Sequence, residues 1–214
     1  EGAGEGLAAE ARDRGLSYTD LVAGNDAAVQ ARQVRGLVAD TTGAIVVPPV
    51  DPASLAPALR EAIWGGAYVG TIVPPPAITI LNAPQYLTGE VLARAAAAYI
   101  EAHLGGKADV ALLTQDSLQF LAPRFAAMRD VLSGMPNVRI IADISPNPVN
   151  EDGGYRTMQL ILEAHANVDV VLGADTVVIG ALKALREAGK ARPDQFLGGI
   201  DGEPDAIAEI KAGG

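Results

Sequence analysis

Cysteine is absent from the 214 residues, which excludes a disulfide framework, a thiolate zinc site and a cysteine nucleophile. Histidine occurs twice, as His103 and His165. Both read as structural: His103 stands near a helix C-terminus, where a cation is favourable, and His165 in the last turn of its helix. Apolar runs are short, none approaching the ~18 residues that span a bilayer. No GxxxxGK[ST] occurs, so a P-loop ATPase is excluded. No GxSxG occurs either, and Ser17, Ser54, Ser117, Ser133 and Ser145 lack any nucleophile signature. The acids Asp40, Glu151 and Asp152 lack the spaced oxygens and central glycine of a calcium loop. Gly2, Gly4 and Gly6 are spaced like a dinucleotide loop, but Glu1 and Glu5 would repel a pyrophosphate. Neither a cofactor nor a metal is expected, and no base and nucleophile pair supports an enzyme. Basic residues are the minority, 16 against 26 acidic ones, for a net charge of −10; a nucleic-acid footprint is excluded.

Hydrophobic residues make up 49% and charged residues 20%, a composition that folds. The length allows one large domain or two small ones. Short apolar runs alternate with amphipathic stretches along the chain. A helix over 5–14 stops at Gly15, and 18–22 reads as a strand. Gly24-Asn25-Asp26 is a turn with an N-cap, followed by Ala27, Ala31, Val34 and Val38 on one helical face. The strand at 44–47 is ended by Pro48-Pro49, and Asp51-Pro52 opens the helix of Leu55, Leu59 and Ile63. Strands at 68–73 and 78–82 are separated by Pro74-Pro75-Pro76. Beyond them lie a helix over 88–104, a strand over 110–113 and the helix face of Leu121, Phe125, Met128 and Leu132. A strand over 138–144 precedes the face of Met158, Ile161, Leu162 and His165. A strand over 168–172 precedes the face of Val178, Leu182 and Leu185. A strand over 196–200 and a helix opened by Glu203-Pro204 close the pattern. Eight strands alternating with helices predict an α/β protein of parallel sheets covered on both faces. The link from 68–73 to 78–82 leaves no room for a crossover helix, so the chain is expected to change sheets there. A boundary near Ala83-Pro84 gives lobes of residues 1–83 and 84–214.

If the second sheet is parallel, its strand ends share one edge, where such folds bind ligands. The loops there carry Gln115 and Asp116, Asn147 and Asn150, Asp175 and Thr176, and Asp201. Arg124 lies in the helix after the first loop, three residues past Leu121 and four before Met128. A charge on or near that apolar face must be paired with an acid or a ligand, and Asp201 is the expected partner. Other roles stay open: Asp116 and Asp175 as N-caps, Arg124 as a snorkelling side chain, and Asp201 as a turn residue before Gly202 and Pro204.

The pattern resembles the ribose-type periplasmic sugar-binding proteins, the substrate-binding components of bacterial ABC importers. The first lobe carries Asn25-Asp26, Gln30, Gln33, Ala44-Ile45-Val46-Val47-Pro48-Pro49, Asp51, Leu55 and Ala58. The second carries Arg124, Gly173-Ala174-Asp175, Gly180-Ala181-Leu182 and, most specifically, Gly199-Ile200-Asp201-Gly202-Glu203-Pro204. The resemblance runs through essentially the whole chain. It implies two Rossmann-like lobes with a ligand cleft between them, closing on a neutral sugar or polyol. It also implies an ABC permease as partner and a periplasmic or extracytoplasmic location, free or lipid-anchored and peripheral to the membrane at most. Arg124 and Asp201 match the family's ligand-binding arginine and aspartate, and Asp175 and Asn150 complete the expected ligand set. Three positions depart from the family. Ala174 stands where an asparagine is usual, and Val73 where an aspartate commonly ends a first-lobe strand. The position of the stacking aromatic falls near Val149 or Asn150. Ribose is therefore one option among pentoses, hexoses and polyols. Family members open with a strand before the first helix here and continue past the last, so both ends are expected to be missing. The alternative is the ligand-sensing core of a lactose-repressor-type regulator, which shares the fold.

Overall fold

The computed structural model describes residues 2–72, 76–81, 83–116, 118 and 120–213, with the side chains of Gly2 and Ala3 left aside. Glu1, Val73, Pro74, Pro75, Asn82 and Ser117, which enter the sequence reading, lie outside the described residues. The chain divides into two compact units, Glu1–Asn82 and Ala83–Gly214.

The first unit contains α1 (Gly2–Asp13), α2 (Ala27–Ala39), β1 (Ala44–Val47), α3 (Pro52–Trp64), β2 (Tyr68–Thr71) and β3 (Thr79–Ile80). Asp26 caps α2 by accepting from the amides of Ala28 and Val29 at 2.8 and 2.9 Å. Asp51 caps α3 through Ala53 N, with Pro52 at its first position. The three strands form a parallel sheet in the order β1-β2-β3. Ala31, Val34, Ile45, Val47, Leu55, Leu59 and Val69 make its core. The buried carboxamide of Gln30 ties down the loop after β1, donating to Pro48 O and accepting from Val50 N, both at 2.9 Å.

Two expectations are corrected here. Residues 18–22 form no strand; the carbonyl of Val22 is instead taken by Gln33 Nε2 at 3.0 Å. The strand placed at 78–82 is shorter and stays in the first sheet, because Ile78 N and Leu81 N bond to Val69 O and Thr71 O and hold it against β2. The core of the first sheet draws on α2 and α3, and Val46 and Tyr68 are exposed.

The second unit contains α4 (Gln85–His103), β4 (Ala108–Leu113), α5 (Ala122–Ser133), β5 (Val138–Ile144), α6 (Glu151–Ala164), β6 (Val170–Gly173), α7 (Asp175–Glu187), β7 (Phe196–Gly198) and α8 (Pro204–Lys211). Its sheet is parallel, in the order β5-β4-β6-β7. This sheet is covered on both faces. Val110, Leu112, Val170 and Leu172 pack with Ile100, Phe125, Met128 and Leu132. Ala111, Leu113 and Val171 pack with Met158, Ile161, Val177 and Leu185. α4 starts three residues before Thr88, whose amide and hydroxyl bond back to Pro84 O at 2.9 and 3.0 Å. His165 is not in a last helical turn: it follows α6 in extended conformation, at φ −132°. Among the described residues no helix is long and apolar enough to cross a membrane.

Glycines let α6 and α7 meet backbone to backbone. A Cβ on Gly154 would stand 2.2 Å from Val177 O, and one on Gly180 would stand 1.9 Å from Glu151 O. Gly154→Ala should therefore force the helices apart and destabilise the protein by about 1–3 kcal/mol. Gly36 in α2 is exposed and meets nothing within 4 Å. Gly36→Ala should stabilise by about 0.5–1 kcal/mol, since alanine orders more cheaply in a helix. Denaturant unfolding of the two variants should give these opposite signs.

Candidate functional site

The carboxyl ends of β4, β5, β6 and β7 lie along one edge of the second sheet because all four strands are parallel. Arg124 reaches this edge from the first turn of α5. Its side chain is buried, with the residue 7% exposed. Burial follows from the approach of α4: a Cβ on Gly89 would stand 1.8 Å from Arg124 O, so only glycine admits α5 there. One turn before Gly89, on the same helical face, Gln85 Oε1 accepts from Arg124 Nε at 2.9 Å. On its other side Arg124 Nη1 donates to Asp201 Oδ1 at 3.2 Å. The expected pairing of Arg124 with Asp201 is thus present. Gln85 was missed, because the sequence reading began the helix at Thr88. Ala83-Pro84 before a polar residue one turn ahead of a glycine was the available signal.

Asp201 is held in an uncommon backbone state, at φ +118°, with Gly202 following at φ +73°. Asp175 builds the loop around it. Its amide donates to Ile200 O at 2.8 Å and its Oδ2 accepts from Glu203 N at 2.7 Å. A Cβ on Gly199 would stand 1.9 Å from Asp175 Oδ1, so the glycine makes room for the carboxylate. Asp175 is 5% exposed; it is the first residue of α7 and braces the 199–203 loop instead of capping its own helix. Asn150 stands after β5 and is exposed, and its Oδ1 caps α6 by accepting from Gly153 N at 2.9 Å. Asp116 is not a cap: it pairs with Arg129, which also binds Asp143 at 2.6 Å. Those two carboxylates raise the pKa of Arg129 and keep it charged, tying the loop after β4 to the end of β5. An open depression lined by Asn150, Glu151, Asp152, Tyr155 and Lys183 does not include Arg124 or Asp201.

The electrostatics of Asp201 are opposed. Burial pushes its carboxyl up, Arg124 pulls it down by charge and hydrogen bond, and Asp175 adds repulsion. The net direction is up from the usual 3.8. Among the described residues no cluster of three or more His, Cys, Asp or Glu is placed to hold a metal ion. The edge therefore offers a fixed cation, a carboxylate and carboxamides, groups that bind hydroxyls in pairs.

A family model described as periplasmic binding protein domain matches residues 1–214. The chain belongs to the periplasmic binding protein domain family. This family comprises substrate-binding transport proteins and is not a family of enzymes. Among curated members, the ribose import binding protein of Bacillus subtilis is 29% identical over 97% of this chain and 67% of its own length. The xylitol-binding protein of Mycolicibacterium smegmatis is 28% identical over 98% of this chain and 60% of its own. The chain thus spans roughly two thirds of the length of these relatives. Among solved structures, an ABC transporter periplasmic solute-binding protein from Actinobacillus succinogenes with bound D-allose superposes with a TM-score of 0.86 at 23% identity, covering 98% of this chain and 76% of its own. The myo-inositol-binding protein of Caulobacter gives 0.83 at 24% identity, covering 97% and 72%. These neighbours show the periplasmic binding protein fold, as the resemblance implied.

The raised carboxyl of Asp201 sets a pH dependence. A carboxyl whose folded pKa lies above its unfolded value contributes most to stability below the unfolded pKa. That contribution is lost as pH rises through the folded one. The stability of the wild type relative to Asp201→Asn should therefore fall as pH rises from the ordinary aspartate value of 3.8 toward neutrality. Melting temperatures of both proteins across that range check the sign.

Proposed function

We propose that the protein binds a neutral sugar or polyol and delivers it to an ABC-type permease outside the cytoplasm. The carrying observation is Arg124, buried at the carboxyl edge of the second sheet and held between Gln85 and Asp201. A guanidinium fixed on two sides keeps a preset direction toward a ligand, and so less entropy is lost on binding. Its N–H groups donate to hydroxyl oxygens while Asp201 accepts from hydroxyl protons. The named relatives bind ribose or xylitol, and both ligands are neutral and polyhydroxylated. The import role in the name of the ribose protein favours this reading over the regulator alternative, and the family supports an extracytoplasmic location and a permease partner.

In this proposal Arg124 and Asp201 touch the ligand. Asp175, nearly without solvent contact, is a positioning residue that sets the loop carrying Asp201. Asn150 is an outer contact through its amide nitrogen, its oxygen being taken by α6. Calorimetric titration of the full-length protein with pentoses, hexoses and polyols should give saturable binding without turnover. Binding of none of them would overturn the proposal. Arg124→Ala and Asp201→Ala should each weaken binding by about 10–150-fold, the loss of a charge-assisted hydrogen bond. Asp175→Ala should weaken it too, and Asp175→Asn should restore most of the affinity, because its carbonyl can still accept from Glu203 N. Equal losses in both Asp175 variants would show that the charge acts directly.

A further inference from the structure

Gln115 stands two residues beyond β4, the strand flanked by β5 on one side and β6 on the other. The connection after β4 runs to β5 and the one after β6 runs the opposite way to β7, and ligand crevices open at such switch points. Leu113 is level with Gly173, and Leu172 with Gly198. Two residues further along, Gln115, Asp175 and Asp201 fall abreast on the same edge. The bond from Asp175 N to Ile200 O at 2.8 Å carries the ladder into this row.

Gln115 differs from its neighbours in the row. Asp201 meets Arg124, and Asp175 meets Glu203 N. Thr114, 1% exposed, shares a hydrogen bond with Ser145 at 3.1 Å. Gln115 is 6% exposed, and its carboxamide makes no hydrogen bond among the described residues. No fully buried side-chain nitrogen or oxygen among the described residues lacks a partner. The residual exposure of Gln115 therefore includes its amide atoms: the polar end meets solvent while the rest is enclosed. A carboxamide held open to solvent at an otherwise enclosed position has two donors and an acceptor free to exchange water for a ligand. Packing alone would favour leucine here.

We propose that Gln115 is a specificity-determining residue, its carboxamide exchanging hydrogen bonds with one hydroxyl of the bound sugar or polyol. The assignment rests on the ligand class proposed above. A neutral amide that both donates and accepts suits a hydroxyl, which does the same, and offers nothing to a ligand carboxylate or ammonium that a charged residue would not do better.

The full-length wild type and Gln115→Leu are titrated with ribose, xylitol, D-allose and myo-inositol, then with monodeoxy analogues of the best binder. Gln115→Leu should bind the best probe about tenfold or more weakly. One deoxy analogue should bind both proteins equally, because the lost hydroxyl and the lost amide are partners. Without ligand, Gln115→Leu should melt no lower than the wild type. A lower melting temperature would mark Gln115 as structural and overturn the assignment. A wild type that binds while Gln115→Leu binds equally well overturns this assignment alone. A wild type that binds no probe overturns the ligand class and this assignment together.

Discussion

A guanidinium can leave water only if its charge and its N–H groups are met by the protein. Arg124 is buried, and the layout of the second unit follows from satisfying it. α4 must come close enough for Gln85 to accept from Nε, which requires the missing side chain at Gly89. The loop after β7 must bring a carboxylate to Nη1, which is what Asp201 does. Helix packing, helix start and loop position thus converge on one side chain.

The loop has its own supports. Asp201 at φ +118° is in a region that non-glycine residues avoid, and such states cost about 1–3 kcal/mol unless their surroundings impose them. Asp175 imposes this one by holding Ile200 and Glu203 on either side of it. Gly199 is small for the same reason, since any side chain there would enter the Asp175 carboxylate. The Gly199-Ile200-Asp201-Gly202-Glu203-Pro204 run is therefore one device: two glycines and a remote acid that present one aspartate.

Much of this was legible in the residues. Apolar spacing placed the second unit's strands to within about two residues, as its β-branched runs sit between helices with clear faces. The buried face around Phe125 made Arg124 conspicuous, and the need to neutralise it pointed to Asp201. Other features were hidden because they depend on distant partners. Nothing near Asp116 announces Arg129, which lies a helical stretch away. Asp175 looks like a cap until its bond to Glu203 is seen. Residues 18–22 have strand composition, but a strand needs a neighbour, and Gln33 takes the carbonyl of Val22 instead.

Local consistency fails in this unit mainly at the candidate site. Asp201 is strained, its carboxyl pKa is raised by burial against the pull of Arg124, and Gln115 is 6% exposed with no hydrogen bond to its carboxamide among the described residues. Elsewhere the unit obeys the packing rules: an alternating core on both sheet faces, and helices that meet at glycine. Local violations concentrated in one place are expected of function, because a sequence selected for stability alone would remove them. A ligand shifts a protein only by what it offers to one state over another. A hydroxyl that shares the Arg124–Asp201 pair would offset part of the cost of holding those charges away from water.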